Sequence, residues 1–396
     1  MRSMAFAARS LVRQPGRTTL GIFGIAAVGA LLFDMLLLSR GLVVSFRDML
    51  DGIGFDVRIT ATDSPLPGGV RLTHSRTLAA TVATLPSVTE VVPMRTASGE
   101  IVRDGLAPRF VGLTGMDPGA RRPWTLVSGR DSTVDTERPE IVVNAQLMTD
   151  LGVPLGTELS IRVECAAGRA APVARPFLLV GVAQFPFDGE GQGTAAMPFD
   201  ALRRACGDDR DEADMLMVSS RTGASDAVSA IRAAHPDVFA VTNEQIVARM
   251  QAQNFTYFRQ ISAVLTAITL LFGFLLITVL LTVSVNQRLG EIAALRALGF
   301  SRGRAATDVL AQGAMLIATG GALALPLGAA LSAWLDRILK SMPGIPAAMH
   351  FFVFEPRALL WHVALLIVTA LLASVYPMWL VARLPIATTL RNEVVG

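Results

Sequence analysis

The chain has 396 residues, of which 52% are hydrophobic and only 17% charged, against about 25% charged in an ordinary globular protein. With a mean hydropathy of +0.50, this excludes disorder, a coiled coil, collagen and a disulfide-dense scaffold, and it asks for membrane spans. The net charge of +3 conceals an uneven distribution: residues 42–258 carry 20 Arg against 26 Asp and Glu, and the remainder carries 15 basic residues against 6 acidic ones.

The pI near 9.3 therefore signals no nucleic-acid partner. The basic residues outside the middle segment flank apolar runs, as on the cytoplasmic side of a membrane. The acidic segment reads as a solvated domain on the other side. Lys340 is the only lysine and follows no glycine-rich loop. A P-loop needs Gly-x-x-x-x-Gly-Lys-Ser/Thr, so no ATP site of that kind is expected in this chain, nor Schiff-base chemistry.

Residues 1–17 form a basic segment with Arg2, Arg9, Arg13 and Arg17 and no acid. Within it, 3–14 reads either as a helix on the inner membrane surface or as a basic anchor that only sets topology. Four apolar runs follow, each long enough to cross about 30 Å of hydrocarbon: Thr18–Leu38, Ile261–Val285, Ala311–Trp334 and Leu359–Val381. The first is too long for a signal peptide, and no small-residue cleavage site follows Leu38. Arg288, Arg296, Arg302 and Arg304 lie between the second and third runs, and Arg383 and Arg391 follow the fourth. An even number of spans puts 1–17, the loop 286–304 and the tail 382–396 on one side, which the arginines make cytoplasmic. Residues 39–260 then lie outside, with a short outer loop at 335–358.

The outer segment patterns as α+β. Phe55–Thr60 alternates as a half-buried strand does, Val88–Met94, Met215–Val218 and Val238–Val241 read as further strands, and Ser75–Leu85 and Ala224–Ala234 read as helices. Between these halves, about 97–205 is β-rich, with candidate strands at Ile101–Arg103, Arg109–Leu113, Glu140–Val143, Glu158–Val163 and Phe177–Val182. This predicts an α-helical membrane protein with four transmembrane helices and a large α+β extracytoplasmic domain between helices 1 and 2. That domain is read as a small α+β subdomain with a β-rich subdomain inserted into it.

Candidate chemistry is sparse. Gly189–Gly193 reads as a flexible loop. The acids Asp208, Asp209, Asp211, Glu212 and Asp214 lack the Gly and Glu spacing of a calcium loop and read as a solvated turn. Cys165 and Cys206, the only cysteines, both fall outside the membrane, where a disulfide is permitted; two small buried residues is the other reading. The four histidines, His74, His235, His350 and His362, have no metal-ligand spacing. No catalytic constellation is found, so an enzyme is not expected. Asp34 is the one acid inside a predicted span. It is a functional candidate there by default, yet lies near enough to the outer end to snorkel to water.

The loop between the second and third spans reads Arg288-Leu289-Gly290-Glu291-Ile292-Ala293-Ala294-Leu295-Arg296-Ala297-Leu298-Gly299. As a helix it puts Glu291, Leu295 and Leu298 on one face at i, i+4 and i+7, with Gly299 as its stop. Such an element can plug into a groove of a partner or lie against the bilayer. The string Arg-x-x-Glu-Ile-x-x-Leu-Arg-Ala-Leu-Gly resembles the signature of the MacB/FtsX-like ABC transporter permease family. Pro377, Ala382, Arg383, Pro385, Leu390, Arg391 and Glu393 resemble that family's C-terminal ending. Ser128-Gly129-Arg130, Leu151–Gly156 and Val180-Gly181-Val182 are similar to parts of its extracytoplasmic domain. Met378-Trp379-Leu380 departs from the arginines usual there.

The resemblance implies that this helix is the element that docks on a separate ABC ATPase, with Arg288, Glu291, Ile292, Leu295, Arg296, Leu298 and Gly299 as its coupling residues. It implies two ATPase copies, which bind ATP and Mg, and no cofactor on this chain. It implies a second permease, identical or homologous, contact with membrane lipids, and a periplasmic adaptor or lipoprotein as a further candidate partner. The first two spans would continue as helices above the membrane, Ser39–Leu50 and Asn243–Gln260, and carry motion outward. The function so implied is export or extraction of a hydrophobic or amphiphilic substrate by mechanotransmission. The alternative is an FtsX-like regulator that transmits force to a cell-wall hydrolase.

Overall fold

The computed structural model describes residues 15–383, apart from 65–68, 104, 106, 118, 120, 135–137, 165–172, 208–209, 254–255, 288, 300, 343–344, 347 and 355. The surface helix or anchor read at 3–14 and most of the family-like C-terminal ending lie outside the described residues.

The described elements begin with α1 (Pro15–Gly52), β1 (Val57–Thr60), β2 (Leu72–Thr73), α2 (Ser75–Ala83), β3 (Val88–Val102), β4 (Arg109–Met116) and β5 (Thr125–Gly129). They continue with β6 (Glu140–Asn144), α3 (Ala145–Leu151), β7 (Glu158–Glu164), β8 (Arg175–Gln184), β9 (Thr194–Met197), α4 (Phe199–Ala205), β10 (Glu212–Ala213) and β11 (Met215–Ser220). The rest are α5 (Ala224–Ala234), β12 (Phe239–Thr242), α6 (Asn243–Gln253), α7 (Thr256–Asn286), α8 (Leu289–Ala297), α9 (Arg302–Lys340) and α10 (Pro356–Ala382). The chain divides into two compact units, one of Met1–Leu42, Phe255–Arg337 and Phe351–Gly396, the other of Val43–Asn254 and Ile338–His350.

Among the described residues four helices are long and apolar enough to cross a membrane: α1, α7, α9 and α10. Leu20, Phe23, Phe272, Leu371 and Leu372 are exposed on their outsides, while Ile25, Ile277, Leu281, Leu316, Ile317 and Ala373 cluster inside. A helix apolar all round suits lipid as its solvent. Packing between such helices then depends on close approach at small residues. A Cβ added at Gly320 of α9 would lie 2.7 Å from Ile25 Cγ2 and 3.1 Å from the Ile22 carbonyl oxygen, and one at Gly29 would lie 2.7 Å from Ala324 Cβ. The glycines around Pro326 thus serve close packing, and α9 continues through that proline.

The second unit holds a mixed sheet of ten strands, ordered β12-β1-β11-β3-β4-β9-β6-β8-β5, with β7 pairing β3 and β8. Its spine is β3, whose first half pairs with β11 and whose second half pairs with β4 and β7. The two strands expected at Val88–Met94 and Ile101–Arg103 are therefore one, and the inserted region continues the same sheet. Gly99 lies between them, inside the continuous strand. In the sheet a Cβ there would meet Arg162 O and Leu113 Cδ1, each at 2.9 Å, so this glycine permits close approach of a neighbouring backbone.

The acidic run is no solvated turn where it is described. Asp211 accepts from Ser75 Oγ at 2.8 Å and from the Arg76 backbone N–H at 3.0 Å, an anion at the start of α2. Asp214 accepts from Arg71 Nε at 3.0 Å and from both the N–H and the hydroxyl of Thr96 at 2.7 Å. The glycine loop is likewise tied down, by Asn144 Nδ2 donating to Gln192 O at 2.8 Å.

Glu140, 3% exposed, opens β6 and accepts from the Arg130 guanidinium and from the N–H and hydroxyl of Thr133. Arg130 first, and Thr133 with it, hold this carboxyl down at about 2, against 4.5 ordinarily, despite the opposing effect of burial. A depressed folded value contributes stability that is complete above the ordinary value and is lost as pH falls through the window from 4.5 to about 2. Glu140→Gln should lower the thermal midpoint at neutral pH and flatten its fall across that window, as read by pH-resolved thermal melts. Parallel profiles for parent and variant would show that the pair contributes nothing.

Candidate functional site

The loop string folds as the short helix α8. Gly299 adopts φ 96°, and Leu298 N donates to Ala294 O at 3.1 Å. A left-handed residue just past the last turn is what glycine supplies without strain. The helix is too short to be stable alone, so its packing decides its orientation. Leu289 and Ile292 pack around Val285, together with Met378 and Leu380 of α10, and Ala293 is fully buried. These positions, at i, i+3 and i+4, define the covered face. Leu298 is 80% exposed and Ala294 is exposed.

The structure thereby divides the expected coupling residues. Leu298 falls on the uncovered face. Ile292 belongs to the packed face, and the side chains of Glu291, Leu295 and Arg296 lie outside the described ones. Gly299 acts through the backbone, and Arg288 lies outside the described residues. Sequence reasoning missed Met378 and Leu380, which brace α8; the absence of arginines at these positions was the available signal. Trp379 between them is half exposed, with the Arg383 guanidinium 4.7 Å over its ring.

Asp34 of α1 is 1% exposed and accepts from Ser332 Oγ of α9. Its Oδ2 has no partner among the described residues. His362 of α10 is equally buried, with neither ring nitrogen partnered among those residues, and it stands edge-on to Phe33 at 5.4 Å. The acid is held inside the helix bundle and does not reach outward.

Cys206 closes α4, is 8% exposed and is disulfide-bonded; the chain's only other cysteine, Cys165, lies outside the described residues. Among the described residues no group of three His, Cys, Asp or Glu is placed to hold a metal.

Comparison with known proteins bears on the whole arrangement. Residues 18–234 match the model of the MacB-like periplasmic core domain, and residues 263–386 that of the FtsX-like permease C-terminal region. Among solved structures, the chain is similar to the periplasmic region of MacB from Actinobacillus actinomycetemcomitans, at 15% identity and a TM-score of 0.36, covering 52% of this chain and 97% of that one. It is also similar to the extracellular domain of the noncanonic ABC-type transporter YknZ from Gram-positive bacteria, at 14% identity and a TM-score of 0.34, covering 47% and 98%. No curated protein matches the chain. With one domain model covering more than half of its length and a second covering the later spans, the chain belongs to the MacB/FtsX-like family of ABC transporter permeases.

Proposed function

We propose that this chain is the permease subunit of an ABC complex that couples ATP hydrolysis on a separate ATPase to motion of its periplasmic domain, exporting or extracting a hydrophobic or amphiphilic substrate. The carrying observation is α8, whose Leu298 face is uncovered while its opposite face is fixed to the spans. Permeases of this family work with ABC ATPase partners. Two ATPase copies would bind ATP and Mg beneath two permeases, and this chain would bind neither. Motion at α8 would pass along α7 and α1 to the periplasmic domain.

The test reconstitutes the chain with its ATPase in liposomes loaded with a labelled lipopeptide. ATP-dependent release to an acceptor, abolished by an ATPase unable to hydrolyse, is expected. Stimulated hydrolysis without release, joined to activation of a cell-wall hydrolase, would replace this reading with the force-transmitting regulator.

The reading places both termini and α8 in the cytoplasm, following the arginines. Cysteines introduced at the exposed positions Ser225 and Ser301 should react with an impermeant maleimide from opposite sides: Ser225→Cys in intact spheroplasts, Ser301→Cys only after lysis. Labelling of both from outside would overturn the four-span topology.

A further inference from the structure

Arg58 is 7% exposed in the middle of β1, opposite Met217 of β11 and Val241 of β12. Its neighbours Val57 and Ile59 point to the core beneath α2 and α5. By strand alternation, Arg58 points to the other face, among Met215, Met217 and Val241. A guanidinium there is costly to bury without a partner, and Arg58 has no hydrogen bond or ion pair among the described residues; its Nε is buried and unmet. Burial pulls its pKa down to about 10, which still leaves it a cation at neutral pH.

Arg58 lines a cavity of about 390 Å³ inside the second unit, a size that suits a small ligand. The wall is otherwise almost wholly apolar and includes Met94, Met215, Met217 and Met250. Methionine adapts its shape and recurs at surfaces that accept varied apolar ligands. A second donor of the wall, Trp124 Nε1, is also buried without an acceptor among the described residues. Asp188, the one acid among the described lining residues, sits beside Thr194. The strand holding Thr194 is four steps from β1 in the sheet, or about 19 Å along it at about 4.8 Å per strand. Asp188 already accepts from Asn144 Nδ2 at 3.0 Å and from Thr194, and burial raises its pKa. The described lining thus offers an unmet cation on β1, an acid disfavoured as an anion beside a strand four steps away, and a flexible apolar floor.

We propose that this cavity binds a long-chain fatty acid, its carboxylate held by the Arg58 guanidinium and its alkyl chain laid along the methionines of the sheet. One guanidinium matches one carboxylate by a two-pronged, charge-assisted contact. Among the described residues no second cation lines the cavity, as a phosphate dianion would require. The wall includes Phe46 and Leu50 of α1, the helix that also carries the first span, and Met250 of α6. Movement of these helices would change the cavity. The proposal rests on the reading of an amphiphilic cargo given above, but occupancy needs neither ATP nor an ATPase.

The experiment uses the full chain in nanodiscs, with Trp334, Trp361 and Trp379 replaced by Phe so that Trp124 is the sole indole. Titration with a brominated long-chain fatty acid should quench Trp124 saturably, and the brominated alcohol of equal length should do so far more weakly. Arg58→Gln should weaken binding by roughly tenfold or more. It should also raise the thermal midpoint without ligand, since it removes an unpaired buried charge, and it should lose the stabilisation that the fatty acid confers on the parent. Met217→Phe, which fills the floor and leaves Arg58 intact, should block quenching as well. Equal quenching by acid and alcohol, unchanged binding by Arg58→Gln, stronger binding of a brominated amine, or no quenching at all would each overturn the proposal. Failure here with ATPase stimulation intact leaves the coupling reading standing; fatty-acid binding without stimulation would overturn only that reading.

Discussion

Glu291→Lys should detach the partner ATPase, or leave it bound and unstimulated, while the permease still reaches the membrane at its normal level. The expectation follows from the two faces of α8. Leu289 and Ile292 are taken up by Val285, Met378 and Leu380, so the face bearing Leu298, 80% exposed, is the one left for a partner. The sequence spacing expects Glu291 on the same face, and a carboxylate covered there needs a donor. Removing one side of a buried charge pair costs about 2–5 kcal/mol, a loss in affinity of roughly 30-fold or more. Leu295→Asp should act similarly by placing an unpaired acid in an apolar contact. Ile292→Ala should behave differently, lowering thermal stability through the packed face and sparing stimulation in the protein that folds. Co-purification of the ATPase and its permease-stimulated hydrolysis, corrected for membrane level, separate these outcomes. Full stimulation by both Glu291→Lys and Leu295→Asp would sink the docking role of α8.

Gly41→Val should all but abolish accumulation of the folded protein. Gly41 lies within α1, and a Cβ there would fall 2.1 Å from the carbonyl oxygen of Phe351, 2.8 Å from its carbon and 2.9 Å from Val353 N. All three obstacles are backbone atoms, so no rotamer change relieves them. Overpacking of a tight site costs about 1–3 kcal/mol when side chains can yield, and here they cannot. Even Gly41→Ala should lower the thermal midpoint in detergent by several degrees, on the order of the 2–8 °C that 1 kcal/mol shifts in a domain. Gly52→Ala is the control at the end of the same helix, where an added Cβ meets nothing within 4 Å; it should be neutral or slightly stabilising, because alanine favours helix by about 1 kcal/mol over glycine. Equal midpoints for Gly41→Ala and Gly52→Ala would show that the segment at 351–353 is free to withdraw.

Four membrane helices with an α+β domain between the first two were legible in the sequence because lipid imposes a local rule. Every backbone group must be satisfied within the helix, so a span announces itself as about twenty consecutive apolar residues wherever the rest of the chain lies. The arginine clusters and the string from Arg288 to Gly299 are equally local. The helix Ala224–Ala234 could be read for the same reason: Ala227, Val228 and Ile231 recur at helical spacing.

What the sequence left open depended on partners far away along the chain. β9 is Thr-Ala-Ala-Met, with a strand-favouring residue only at Thr194; it is a strand because β4 and β6 flank it. α4 has seven residues, too few to hold a helix without the sheet beneath it. β3 runs unbroken through Gly99 because Arg162 and Leu113 close against it. The acids Asp211 and Asp214 look solvated until Ser75, Arg76, Arg71 and Thr96 close on them. The candidate site divides in the same way. The residues of α8 are contiguous and were readable, but which face is free was decided by Met378 and Leu380, some ninety positions later. Arg58 drew no notice in a strand of four residues. Only the sheet, bringing β11 and β12 from the far side of the insertion to either side of β1, sets its charge at the end of an apolar cavity, because burial and unmet charge are properties of neighbours in space.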